Sequence, residues 1–285
     1  MDIFIITLTS SNERLKNVLE LNNDFTKMGH KVHLVNAVNG YIFGEKDKKV
    51  LKDKNYFSRE LQPGQMGVAL TQYFIWEYIR LKNINKAIIL EDDVFIHDSF
   101  KKQIEGINKE LPDDADMCYL FHHPWQQEQL YKEENKIKDK KFIRKSVPMY
   151  GLVAYIITQK GANNICKRVK PIYTTIDDMV MQMFVSKSLT NYASNIQLCD
   201  TFGEMGILHG RDNTDPEGSK NIGGRKLLTS TVKPRDMNFM KEIDNKKIPF
   251  DTKGIKMLQP KIFLGKIKFM TIDLADCRVS QFKAC

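Results

Sequence analysis

The sequence predicts an α/β fold built on an open, mostly parallel central sheet with helices on both faces, and three observations carry that expectation. The chain opens with a strand at Ile3–Leu8, a helix from about Glu13 to Lys27 and a second strand at Lys31–Val35, the first unit of a doubly wound sheet. Ala87, Ile88, Ile89 and Leu90 form an unbroken apolar run of the kind found in strands buried on both faces. Glu91, Asp92 and Asp93 follow at once. Three carboxylates cannot all stay ionised inside a core, so the strand must deliver them to its carboxyl end, where open α/β sheets bind ligands.

At 285 residues the chain has room for one large α/β domain, or a core domain with a small extension. No apolar run is long enough to span a bilayer. The N-terminus enters Asp2-Ile3-Phe4-Ile5-Ile6 without a basic segment and cleavage site, so neither a transmembrane helix nor secretion is expected. Cys118, Cys166, Cys199, Cys277 and Cys285 are odd in number and form no Cys-x-x-Cys pair. That pattern argues against a disulfide framework and a structural zinc site and fits a reducing cytoplasm. The formal charge of +9 suits nucleic acid, acidic substrates or an anionic membrane surface equally well. Because the basic residues are dispersed rather than set among aromatics, nucleic acid is not expected as a partner.

In the first unit, Leu15, Val18, Leu19 and Leu21 or Asn22 give the helix its apolar stripe, and Met28-Gly29-His30 reads as its stop. Ser10, Asn12 and Arg14 sit where the first strand ends, a place either to meet a nucleotide or simply to cap a helix. Asn36-Ala37-Val38-Asn39-Gly40 turns off the second strand. Pro63 opens a strong helix in which Met66, Leu70, Phe74 and Tyr78 recur at four-residue intervals as core. After the acidic strand, Asp98 caps a helix to about Leu111, and Met117–Phe121 is another strand. His122 and His123 lack a third metal ligand at fitting spacing and read as loop, and Glu128 to Lys145 reads as a charged surface segment. Met149–Thr158 is a strand whose Gly151 and Ala154 admit close approach of a ligand or another backbone. Asp177 and Asp178 open a further helix, where Thr174 or Thr175 with an acid three residues later reads as a capping box, and capping and function stand equal for Asp177. The glycine-rich stretch from Phe202 to Arg225, with His209, matches no Walker loop and reads as a loop that closes over a diphosphate. The Lys-rich tail from Lys253 to Lys268 is expected to pack as a final helix, to lie on an anionic membrane or to bind a partner. The domain expectation is 1–200 for the core and 201–285 for a C-terminal loop and basic extension.

Within the acidic triplet, an extended backbone would put Glu91 and Asp93 on one face and Asp92 on the other. Two carboxylates that close repel unless a hard divalent cation sits between them. A solvated acidic turn and the acidic pair of a phosphoacceptor domain are the competing accounts. The latter needs a later Asp at a strand end, where this chain has the Lys-rich run around Asp139.

Ile5-Ile6-Thr7-Leu8 with Arg14, Ala37-Val38-Asn39-Gly40, Leu61 to Gln72 with Trp76, Ile88 to Val94, Gly151 to Ile157 with Lys160-Gly161-Ala162, and Ile176-Asp177 occur in the order and spacing of a known family. Together they resemble bacterial glycosyltransferase family 25, the lipooligosaccharide sugar transferases related to collagen-modifying galactosyltransferase domains, over about the first two-thirds of the chain. The resemblance implies a GT-A-like nucleotide-diphospho-sugar transferase fold. It also implies an inverting, metal-dependent hexosyl transfer, galactose first, from a UDP-sugar to a lipooligosaccharide or other surface glycan, in the cytoplasm and peripherally at the membrane's inner face. Glu91, Asp93 and His209 are the implied ligands of Mn2+ or Mg2+, and Thr7, Ser10, Asn12, Arg14, Asn39, Gly40, Asp92 and Gly151 the implied nucleotide-sugar contacts. Asp177 is the implied base, with Asp178 second. Gln65, Val68, Thr71 and Gln72 stand where the family usually has Gly-Glu-Ile-Gly-Cys followed by Ser-His, which leaves a noncatalytic sugar-nucleotide or glycan binder as the alternative.

Overall fold

The computed structural model describes residues 1–8, 12–201, 255–263 and 266–274. The chain begins β1 (Asp2–Thr7), α1 (Asn12–Lys27), β2 (Lys31–Asn36), α2 (Glu45–Asp53), α3 (Pro63–Leu81), β3 (Lys86–Leu90), β4 (Val94–Ile96) and α4 (Phe100–Glu110). It continues β5 (Met117–Tyr119), α5 (Pro124–Leu130), β6 (Ile143–Lys145), β7 (Ala154–Thr158), α6 (Gln159–Arg168), α7 (Ile176–Val185), β8 (Asn191–Ser194) and β9 (Cys199–Thr201). β10 (Lys256–Phe263) and β11 (Lys266–Asp273) follow.

Nine strands form one open sheet in the order β11-β10-β2-β1-β3-β7-β5-β8-β6, with β4 and β9 paired separately. The contiguous run β10-β2-β1-β3 is parallel, whereas β7 is antiparallel to both of its neighbours. Period-two alternation sends successive residues to opposite cores. Phe4, Ala87, Ile89 and Tyr155 pack with α3, α6 and α7, while Ile3, Ile5, Ile88, Leu90 and Ile156 pack with α1 and α4. The sheet is therefore covered on both faces, as the unbroken apolar run of β3 requires.

Three local readings change. β7 begins at Ala154 rather than Met149 because Gly151 takes φ +80, which an extended strand cannot contain. The charged segment after His123 holds α5 and β6, fixed by Arg144, which is buried and donates to Leu130 O at 2.8 Å and Asn195 Oδ1 at 3.0 Å. The basic tail is a β-hairpin and not a helix. Lys266-Ile267-Lys268-Phe269 alternates with period two, and Ile267 and Phe269 pack on the core. Gln259 in β10 is buried and accepts from Asn36 Nδ2 at 2.6 Å, tying the hairpin to β2. Among the described residues, no helix is long and apolar enough to cross a membrane.

Candidate active site

β3 carries Glu91, Asp92 and Asp93 to the carboxyl edge of the sheet, but the extended geometry stops at Leu90 and Asp92 and Asp93 form a turn. The expected alternation of faces is thereby overturned. Arg14, early in α1, spans both aspartates: Nη1 donates to Asp92 Oδ1 at 2.6 Å, and Nη2 lies 3.5 Å from Asp93 Oδ2. Leu8 N–H donates to Asp92 Oδ2 at 3.4 Å. Asn17 Nδ2 donates to the carbonyls of Asp92 and Val94, both at 2.9 Å, and pins the turn from beneath. Asp92 is thus used in holding the site together. Asn17 was missed, although a lone polar residue within the Leu15-Val18-Leu21 stripe was its visible signal.

The acids outnumber their partners. Burial, with Asp93 and Asp92 adding repulsion, pushes the half-buried Glu91 carboxyl up to about 8, against a smaller opposing pull from Arg14. Burial also raises Asp93, and Arg14 partly offsets it. Asp93 Oδ1 is buried with no hydrogen-bond partner, as is Thr7 Oγ1 at the end of β1. An orphaned carboxylate oxygen beside a carboxyl held abnormally protonated fits a hard divalent cation, which such sites bind through one or two carboxylates plus substrate phosphates. Among the described residues no group of three or more His, Cys, Asp or Glu is placed to hold a metal. Asp93 and Glu91 are the two acids whose environment fits such an ion; His209 and Ser10 lie outside the described residues, as does the side chain of Asn12.

Asp177 comes to the same edge from α7. Its charge raises the Glu91 carboxyl, and its Oδ2 accepts from Gly151 N–H at 3.4 Å. Thr175, the N-cap residue, makes no side-chain cap, and Thr174 Oγ1 donates to Asp178 Oδ2 at 3.2 Å. The expected Thr cap is replaced by this Thr174–Asp178 pair, so Asp178 serves the helix start and Asp177 faces the site.

Asn39 and Gly40 also have structural roles. Asn39 Oδ1 accepts from Tyr41 N–H at 3.0 Å, and a Cβ on Gly40 would lie 1.8 Å from Pro63 O, so this glycine lets the loop pass under α3. The residues that depart from the family pattern are also accounted for. Gln65 Oε1 accepts from Gln62 N–H at 3.1 Å, a capping role Gln performs as well as Glu. Thr71 Oγ1 accepts from Val38 N–H at 2.9 Å and donates to Gly67 O at 2.7 Å. Gln72 is fully buried, accepts from Tyr155 Oη at 2.6 Å and reaches Leu152 O at 3.4 Å, while Trp76 Nε1 donates to the same Tyr155 oxygen. Val68 is exposed. His122 is a core residue, its imidazole depressed to about 3 by burial and bonded to Tyr131 Oη at 2.8 Å.

The family described as glycosyltransferase family 25 (LPS biosynthesis protein) matches residues 1–180, well over half of the chain. The chain belongs to this family. Among its relatives, a protein of Haemophilus influenzae named "Putative glycosyltransferase" is 25% identical over 187 residues, covering 64% of this chain and 63% of that one. Procollagen galactosyltransferase 1-B of Xenopus laevis is 27% identical over 210 residues, 70% of this chain and 33% of its own length. The chain thus spans less than two thirds of either relative. A glycosyltransferase involved in the glycosylation of the major capsid of PBCV-1 overlays 64% of this chain and 65% of its own, at 10% identity and a TM-score of 0.32.

Proposed function

We propose that this family 25 glycosyltransferase moves a hexose, galactose first, from a UDP-sugar to a hydroxyl of a lipooligosaccharide or other surface glycan, with inversion at the anomeric carbon. The observation that carries this reading is the convergence at one sheet edge of the orphaned Asp93 Oδ1, the proton-holding Glu91 and the Asp177 carboxylate. Asp93 and Glu91 are the residues to hold Mn2+ or Mg2+, with Thr7 and Arg14 beside them on the donor side. A bound dication supplies positive charge against the diphosphate leaving group without proton transfer.

Arg14 keeps Asp92 and Asp93 in place, so the edge enters the reaction already organised. Gly151 N–H orients the Asp177 carboxylate. Asp177 takes the proton of the acceptor hydroxyl while that oxygen attacks the anomeric carbon from the side opposite the breaking bond to UDP. The deciding experiment is UDP release measured with UDP-galactose and with other UDP-sugars, with Mn2+ or Mg2+ present and then chelated. Release that is metal dependent and increased by glycan acceptors is expected. UDP binding without release under any condition would favour the noncatalytic binder instead.

The exposed Lys256 and Lys268 of the C-terminal hairpin support peripheral contact with an anionic membrane, at about 1 kcal/mol per surface Lys. Equal sedimentation with neutral and anionic vesicles at low salt would remove that contact from the reading.

A further inference from the structure

The chain has two tryptophans, and they are placed in opposite ways. Trp76 is fully buried in α3, whereas Trp125, at the start of α5, is 57% exposed. Exposed apolar side chains are ordinary when scattered, but Trp125 is held. Its ring stacks on the imidazole of His123, with centroids 4.1 Å apart and planes 14° from parallel. His123 meets the buried Phe121 edge-on at 4.8 Å. On its other side it lies against Gly151, where a Cβ would stand 2.5 Å from His123 Nε2. Gly151 N–H donates to Asp177. Trp125, His123, Gly151 and Asp177 therefore form one contiguous path from an exposed aromatic face to the carboxylate assigned as base. Tyr150, beside Gly151, is a further large aromatic left exposed.

A rigid indole face is apolar and electron-rich, with few torsions to freeze, and it attracts the positively polarised C–H groups on the flat side of a pyranose ring. Backing by His123 and the fixed φ of Pro124 keep Trp125 in one orientation before any ligand arrives. We propose that Trp125, seated on His123, is the platform on which a pyranose ring of the acceptor stacks, setting its reactive hydroxyl toward Asp177. Gly151 is then required twice, to admit the imidazole and to hold the carboxylate. This assignment rests on the proposed transfer reaction and adds its acceptor subsite.

The test uses the full chain with methyl β-D-galactopyranoside and methyl β-D-glucopyranoside as probes, followed by saturation-transfer NMR and by acrylamide quenching of tryptophan emission. Because Trp76 is buried, changes in quenching report Trp125. At least one pyranoside is expected to receive saturation and to shield the emission. Trp125→Ala should abolish the saturation transfer, and Trp125→Phe should retain it. In transfer assays Trp125→Ala should raise the acceptor KM about tenfold, and His123→Ala about threefold, with the donor KM moved less than twofold. Absence of pyranoside binding by the wild-type chain, an unchanged acceptor KM in Trp125→Ala, or an equal rise in donor KM would each overturn the platform. A wild-type chain that binds pyranosides but never releases UDP would refute the transfer reaction while leaving the platform standing, so the two failures are distinguishable.

Discussion

The two ends of the sheet differ in how well their polar groups are answered. At the amino ends of β1 and β3 lies a cavity of about 870 Å3, lined by Asp2, Lys31, Tyr78, Lys82 and Lys86 among others. Three of its charged groups meet partners: Asp2 bonds His33 at 2.6 Å and lies 3.8 Å from Lys31, and Lys86 Nζ donates to Asn108 O at 3.2 Å. At the carboxyl ends three acids in sequence share Arg14, Asp93 Oδ1 has no partner, and Glu91 is pushed up to about 8. A hollow whose groups satisfy one another gains little from a ligand, whereas an edge with unanswered acids has more to gain from a cation. The proposed donor site lies at the carboxyl ends, away from this cavity.

The largest effect should come from Asp177. Asp177→Asn is expected to lower transfer at least about a hundredfold, the low end for losing a general base, with little change in donor affinity. Asn can still accept from Gly151 N–H, and removing one anion from a helix start costs about 0.3–1 kcal/mol, so the melting temperature should barely move. Near wild-type transfer, or a sharply lower melting temperature with the rate loss, would make Asp177 a structural residue. Next in size is Asp93→Asn, which should weaken metal-dependent UDP binding by roughly tenfold to a hundredfold, the 1.5–3 kcal/mol of one charged interaction. Calorimetry with and without chelator checks it. Equal UDP affinity in both conditions, for the wild type, would break the contrast between the two ends.

Much of this contrast was legible in the residues, and the illegible part has definite causes. The apolar run Ala87–Leu90 followed by three acids located the edge, because a buried strand must discharge its carboxylates at its end. The spacing of α3 and the opening strand–helix–strand unit were equally plain. Strand direction was not. Ala154–Ile157 is an unbroken apolar run and reads the same whether its neighbours run parallel or antiparallel. Nor does spacing reveal that Arg14 reaches across 78 positions to Asp92, since that distance closes only when α1 packs on β1 and β1 pairs with β3. The turn at Asp92 and Asp93 defeated the alternation argument because period two holds only while the backbone stays extended. The departures Gln65, Thr71 and Gln72 make capping and buried hydrogen bonds, which only their partners in space reveal.

A pH experiment sharpens the electrostatic half of the comparison. The Glu91 carboxyl moves from 4.5 to about 8 on folding. Between those values the folded chain holds a proton that the unfolded chain has released, so stability falls as pH rises from about 4.5 through about 8. Each unit is worth about 1.4 kcal/mol at most, less for a group that keeps part of its surface open. Glu91→Gln should flatten this segment of the stability profile in chelator and stabilise the chain at pH 8 more than at pH 5. Mn2+ should help the wild type most at the high end, where the proton no longer competes for the carboxylate. A wild-type profile already flat over this range would show that Glu91 is ionised normally and the edge is not frustrated.

The smallest expected effect lies at the other end of the sheet and is the sharpest check on the contrast. Lys31→Ala and Lys82→Ala each remove a cation from the wall of the large cavity. The Lys31–Asp2 pair is 3.8 Å long with Lys31 largely exposed, so losing it should cost about 0.5 kcal/mol or less. Lys82, also exposed, should behave alike. UDP affinity should stay within about twofold at moderate salt, since these charges face solvent and a Debye length of about 8 Å screens them from a diphosphate at the far edge. If the donor diphosphate instead sat among these lysines, both variants would weaken UDP binding about tenfold, with a steep loss on adding salt, while Asp93→Asn would do nothing. That reversed pair of results would move the active site to the amino ends and make the unanswered acids a cost of folding rather than a site.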